Sequence, residues 1–185
     1  MPRRNPVSWI SFDVDYLGGS FGCNEKFYKC VKNCDHCVGS EPGGRPKTQI
    51  LPDREAKINT LETIELMNNF DIRKAYMRQS HASIVDLLIA GDNVYNIDAH
   101  HDHYSNAYTK KDVHCGNWVS WAMKHHINVW SPCCPVEVDS YLKDDNRDVY
   151  LYISLSPNYA SNLTDKYLIE ILLKIPCKID TNLTK

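Results

Sequence analysis

The amino-acid sequence predicts an α/β fold with a mostly parallel sheet. Short β-favouring runs alternate with helical stretches of about ten residues, the pattern of βαβ units covered by helices on both faces. Asp13, His81, Asp98 and Ser156 each come just past the carboxyl end of a predicted strand. Ligands gather at that edge of such sheets, so four separate segments are expected to deliver polar groups to one place. The 185 residues, 43% hydrophobic and 24% charged, suffice for a single soluble domain with a substantial core.

Taken in order, Val7 to Phe12 is an apolar run ending in Asp13-Val14-Asp15 and then Gly18-Gly19. Residues 20 to 52 are rich in Gly, Pro, Cys and charge and read as a long surface loop or insertion, not a second domain. Ile58, Leu61, Leu66 and Met67 form a helical stripe, with Asn59 and Glu62 at capping-box spacing. Lys74 to Arg78 reads as a strand that stops at Gln79-Ser80-His81. A helix through Ile84, Val85, Leu87 and Leu88 follows, closed by Gly91. Asn93 to Ile97 is a strand running straight into Asp98, and Trp118, Trp121, Ala122 and Met123 mark a helix beginning near Gly116-Asn117. Ile127 to Trp130 is a strand and Pro132 to Asp148 a loop-rich connection. Val149 to Leu155 is strongly strand-like, ending in Ser156-Pro157-Asn158. The last helix spans about Thr164 to Lys174, with Tyr167, Leu168, Ile171 and Leu172 on one face.

A formal net charge of −2 gives no reason to expect nucleic acid or an anionic membrane surface as a partner. Met1 to Pro6 lacks the apolar core of a signal peptide, and no apolar run reaches the length of a membrane span. The expected location is therefore cytoplasmic, with the sequons at Asn162 and Asn182 unglycosylated. Four of the eight cysteines, Cys23, Cys30, Cys34 and Cys37, crowd together with His36 among them. They suit a structural Zn²⁺, a loop of reduced thiols, or a disulfide formed on isolation. Cys115, Cys133, Cys134 and Cys177 are scattered and read as packing residues.

The chemistry concentrates in two pentads. Asp98-Ala99-His100-His101-Asp102 places carboxylate, imidazole and carboxylate at i, i+2 and i+4, a set that suits two hard or borderline divalent cations. Ser11-Phe12-Asp13-Val14-Asp15 offers two carboxylates that both face a metal only if the chain leaves extended geometry there. His81, at a strand-to-helix turn, is the sixth candidate ligand.

These pentads resemble, residue for residue, the two metal-binding signatures of the arginase and agmatinase ureohydrolases. Ser80-His81-Ala82-Ser83 is similar to the segment that completes that family's site, and Gly116-Asn117 to its Gly-Asn loop. The local context, including Ile153-Ser154-Leu155-Ser156-Pro157-Asn158-Tyr159, most resembles the small peptide arginases, which turn arginine side chains of ribosomally made precursor peptides into ornithine. The chain departs from arginases in its shorter length and in strand order, because the Ser-x-Asp-x-Asp strand stands first and not after the Asp-Ala-His-x-Asp strand. The resemblance thus implies a three-layer α/β/α, arginase/deacetylase-like sheet with permuted strand order.

The resemblance further implies two Mn²⁺ per chain. One would be held by His81, Asp98, Asp102 and Asp13, and the other by His100, Asp15 and bridging oxygens of Asp98 and Asp13. Asp102 would accept a proton from the attacking hydroxide, and His101, His103 and His114 are the candidates to return one to the leaving amine. Asn117, Glu137, Ser156 and Asn158 are the candidate substrate contacts, Glu137 as carboxylate partner of the guanidinium. Tyr159 either lines the pocket or packs on the last helix. A short chain has fewer loops to wall the site, which suits an arginine within a precursor peptide. A free guanidino compound, or a non-catalytic metal-stabilised binding module, is the alternative.

Overall fold

Strand β1 (Ser8–Asp13) is buried along its whole length, as a run apolar on both faces must be. It belongs to a sheet with β2 (Ile72–Arg78), β3 (Asn93–Ile97), β4 (Asn128–Cys133), β5 (Val149–Ser154) and β6 (Ile179–Asp180). The computed structural model describes residues 4–18, 52–98, 100–103, 105–155 and 162–181. Among these the six strands are all parallel, in the order β4-β3-β1-β5-β2-β6. The N-terminal strand therefore lies inside the sheet, between β3 and β5, and not beside the next strand in sequence.

Alternation along the strands sorts side chains between two cores. Ile10 and Phe12 of β1, Ile97 of β3 and Leu151 and Ile153 of β5 face one side. There they meet α1 (Asp15–Gly18), α2 (Asp53–Asn69), α4 (Pro135–Lys143) and α5 (Asn162–Leu172). Trp9 of β1, Val94 of β3 and Tyr150 and Tyr152 of β5 face the other side. They pack against a 3-10 helix, His81–Asp86, and α3 (Trp118–Lys124). The architecture is three-layer α/β/α. Among the described residues no helix is long and apolar enough to cross a membrane.

Several elements differ from the sequence reading. The helix after residue 52 begins at Asp53, with Asp53 and Glu55 in its first turn, and it buries Ala56, Thr60, Thr63, Leu66 and Met67. Ile58 and Leu61, expected in the stripe, are 44% and 54% exposed. Thr60 and Thr63 replace them because each hydroxyl bonds the carbonyl four residues back, at 2.7 Å. Asn59 is no cap; its Nδ2 donates to the Tyr16 carbonyl. The connection 132–148 contains α4, begun by Pro135 at the first position and a capping box of Cys134 and Glu137. The segment after Ser80 is 3-10 and not α-helical, and Gly91 (φ +88) lies in the turn before β3. Cys133 is buried, whereas Cys115, Cys134 and Cys177 are half-buried. The Cys23, Cys30, Cys34 and Cys37 cluster lies outside the described residues.

Candidate metal centre

The alternation that buries Trp9 also carries Ser11 and Asp13 onto the face covered by the 3-10 helix and α3, and does the same for Asn96 and Asp98 on β3. Ser11 and Asn96 are register partners, so two polar pairs sit side by side at the carboxyl edge of the two central strands. Past Asp13 the chain turns at once into α1, whose first residue is Asp15. This departure from extended geometry turns Asp15 inward to 2% exposure. His81 begins the 3-10 helix after β2 and is fully buried, stacked on Trp118 (4.8 Å between ring centres). Asp102 has φ +49, a left-handed conformation that Asp tolerates better than most side chains.

These residues form two groups. Around His81 Nδ1 lie Asp13 Oδ2 at 3.1 Å, Asp98 Oδ2 at 3.2 Å and Asp102 Oδ2 at 3.2 Å. Around His100 Nδ1 lie Asp15 Oδ2 at 3.1 Å and Asp98 Oδ1 at 3.4 Å. Asp98 thus gives one oxygen to each group. One imidazole N–H cannot satisfy three carboxylate oxygens, but a cation bound by all four atoms can. Asp13, His81 and Asp98, and separately Asp15, Asp98 and His100, bring ligand atoms within 4.8 Å of one another.

Charge gives a second test of fit. Four carboxylates, each at most 6% exposed, converge here with two imidazoles. Two protonated histidines would leave the cluster two charges short of neutral, a costly state for buried groups. Two divalent cations balance four carboxylates with both imidazoles neutral, the form that ligates a metal. Asp15 Oδ1 is buried without a hydrogen-bond partner. Burial and then the charges of Asp13 and Asp98 push Asp15 up to about 7. The donor set fits a pair of divalent cations.

The surroundings orient these side chains. Ser11 Oγ lies 2.6 Å from His81 Nε2, which directs Nδ1 at the carboxylates. Trp118 Nε1 donates to Asp102 Oδ2 at 2.6 Å, and the His100 backbone N–H donates to Asp98 Oδ1 at 2.7 Å. Such outer partners are commonly worth 10–100-fold in metal affinity. Ser11→Ala is accordingly expected to weaken divalent-cation binding by about 10–100-fold, read by isothermal titration. Unchanged affinity would show that Trp118 and Tyr152 packing alone fixes the ring.

No family model, curated protein or solved structure matches this chain.

The other candidate residues have more ordinary placements. His101 and His103 are exposed, and His101 Nδ1 accepts the His103 backbone N–H at 3.0 Å. His114 is half-buried, and its Nδ1 accepts from Gly116 N at 3.2 Å. Asn117 is only 1% exposed, and its amide accepts from His114 N and donates to Ser105 Oγ and the Asp112 carbonyl. It organises the loop before α3. Glu137 Oε2 accepts the Cys134 backbone N–H at 2.8 Å, which engages this carboxylate in capping α4. Ser156, Asn158 and Tyr159 lie outside the described residues. Sequence reasoning missed Ser11, Asn96, Trp118 and Ser131 as supports. A polar residue two positions before each ligand aspartate, inside a strand buried on both faces, is the signal for the first two.

Protein stripped of divalent cations by chelation is expected to melt at lower temperature as pH rises from about 4 to about 8. Asp15 has its folded pKa raised from 3.8 to about 7, so its stabilisation is present below 3.8 and lost as pH rises through 7. His100 acts in the same sense: burial opposes its charge, but hydrogen bonds to Asp15 and Asp98 raise it from 6.5 to about 11. His81 is also raised, since Asp102, Asp13 and Asp98 outweigh its burial. Asp98 runs oppositely: His100 and His81 overcome its burial and lower it, so its contribution is lost only in strong acid. A flat or rising melting temperature over that interval would count against the cluster.

Proposed function

We propose that this chain is a Mn²⁺-dependent binuclear hydrolase that converts arginine side chains of a peptide precursor to ornithine, releasing urea. The observation that carries this reading is the division of the two Asp98 oxygens between a His81 group and a His100 group. The two pentads that meet there are those that resemble the arginase and agmatinase signatures. An oxygen-rich donor set with one imidazole per group favours Mn²⁺ over Zn²⁺. A second carboxylate in each pentad argues against a deacetylase, which needs one metal. Strand β1 lies beside β3, so the two pentads meet at the same carboxyl edge of the sheet.

When bound, two divalent ions lower the pKa of water toward neutrality and polarise the group under attack. His81, Asp13 and Asp102 would hold one ion, Asp15 and His100 the other, and Asp98 both. Asp13, expected to bridge as well, is grouped with His81 and Asp98 and not with Asp15 and His100. Water adds to the guanidinium carbon, the bond to the side-chain nitrogen breaks, and that nitrogen leaves as the ornithine amine. Asp102, fixed by Trp118 Nε1, is the carboxylate placed to accept the water proton. His101 and His103, exposed on the loop that carries Asp102, and the half-buried His114 are the candidates to return a proton to the amine.

The Mn²⁺-loaded protein is expected to release urea from arginine-containing peptides, with a mass loss of one CH₂N₂ unit per arginine. Urea from free arginine or agmatine but not from peptides would reassign the substrate. Two bound ions with no activity on any guanidino compound would instead indicate a metal-stabilised binding module.

A further inference from the structure

Asn96 is fully buried one step before the end of β3, yet only part of its amide is satisfied. Its Nδ2 donates to Asp98 Oδ2 at 3.3 Å and to Ser131 Oγ at 2.9 Å, while its Oδ1 is buried with no hydrogen-bond partner. The direction of these bonds is fixed by proton count. The single Ser131 hydroxyl proton goes to the His101 carbonyl, at 3.1 Å, so Ser131 Oγ must accept from Asn96. Turning the amide over would place its oxygen against the Asp98 carboxylate. Asn96 Oδ1 is thus left unsatisfied by the same arrangement that aims two N–H bonds at Asp98 and Ser131. An unsatisfied buried acceptor costs stability, so a residue kept here for packing alone would be better apolar.

Ser131 reaches this point because β4 carries a bulge. Tyr95 pairs with Trp130, but Ile97 pairs with Cys133, so β4 spends one more residue than β3 opposite Asn96. Bulges of this kind re-aim side chains beside functional sites. Here the bulge lets an edge strand hold the 98–102 segment at two points, the Asp98 carboxylate through Asn96 and the His101 carbonyl directly. Ser11, the register partner of Asn96, holds His81 in the same way from β1.

We infer that Asn96 and Ser131 are positioning residues for the bridging carboxylate, directing Asp98 Oδ2 toward the His81 group while Asp98 Oδ1 serves the His100 group. This rests on the two-metal reading but assigns a role to residues outside both pentads. Asn96→Leu removes both donors and the unsatisfied oxygen while keeping the same number of side-chain heavy atoms. It is expected to keep or raise the melting temperature of the chelated protein while weakening one of two Mn²⁺ binding steps by about 10–100-fold in titration calorimetry. At limiting Mn²⁺ its electron paramagnetic resonance should change from a spin-coupled pair to a single-ion signal. Ser131→Ala is expected to shift the same step in the same direction, and Ser131→Thr, which keeps the hydroxyl, to restore it. Two ions bound with unchanged affinities in Asn96→Leu would overturn the inference and leave the two-metal reading intact. Equal weakening of both steps together with a lowered melting temperature would also overturn it, as the mark of general destabilisation. A wild-type protein that binds no divalent cation would overturn both.

Discussion

Asp98→Asn is expected to abolish divalent-cation binding at both positions at once, whereas Asp15→Asn removes only one of two bound equivalents. The difference follows from geometry: Asp98 Oδ2 belongs to the His81 group and Asp98 Oδ1 to the His100 group, while Asp15 touches only the latter. Metal content by atomic emission after gel filtration distinguishes the two variants. Urea release by Asp98→Asn should fall by more than about 10³-fold, since the lowering of the pKa of water toward neutrality is lost with the ions. The fold should persist. The Asp98 charge is among those that raise Asp15 and Asp102, so neutralising it relieves repulsion within the cluster. One equivalent of metal retained by Asp98→Asn would mean that the carboxylate does not bridge, and the two-group description would fail.

The largest loss of stability is expected from a residue far from this chemistry. Asp92, fully buried before β3, accepts from Arg4 Nη1 at 2.7 Å, Val7 N at 2.9 Å, Trp9 Nε1 at 3.0 Å and Ile89 N at 3.0 Å, and pairs with Arg4 Nη2. One carboxylate thus anchors the chain entering β1, holds the strand itself through Trp9, and closes the turn into β3. Removing one partner of a buried ion pair costs about 3–5 kcal/mol because the remaining donors lose their acceptor. Asp92→Ala is therefore expected to lower unfolding free energy by about that amount in urea titrations. Because Asp92 lies at the amino end of β3 and the ligands at its carboxyl end, Mn²⁺ stoichiometry should be unchanged in the folded variant at low temperature. A loss below about 1 kcal/mol would show that water replaces the carboxylate as acceptor.

These two residues show how unevenly the molecule was legible. Asp98 announces itself, because ligand-type side chains at i, i+2 and i+4 after a strand stand out in one dimension. Asp92 does not, since its five donors come from segments 83 to 88 residues away in sequence or from a turn three residues back. The same limit explains the helices. The nine-residue helix α4 reads as loop in the sequence because only Val138 and Leu142 mark its buried face, with Pro135 the other buried residue. In α2, threonines fill positions where an apolar stripe was expected, and their suitability depends on hydroxyl bonds to the helix's own carbonyls.

The sequence by itself determined the α/β class, the strand-end placement of the candidate ligand residues and the membership of the two pentads. Each is local: alternation fixes which face a residue takes, and a strand's end fixes where the next polar residue falls. Only the tertiary structure decided that β1 enters between β3 and β5, that Asp98 divides its oxygens, and that Ser131 reaches across from the edge strand. Strand order depends on which buried faces pack together, and consecutive strands need not be neighbours. Here β1 bypasses β2 entirely, so the geometry that unites Asp13 and Asp15 with Asp98 exists only once the whole sheet is formed.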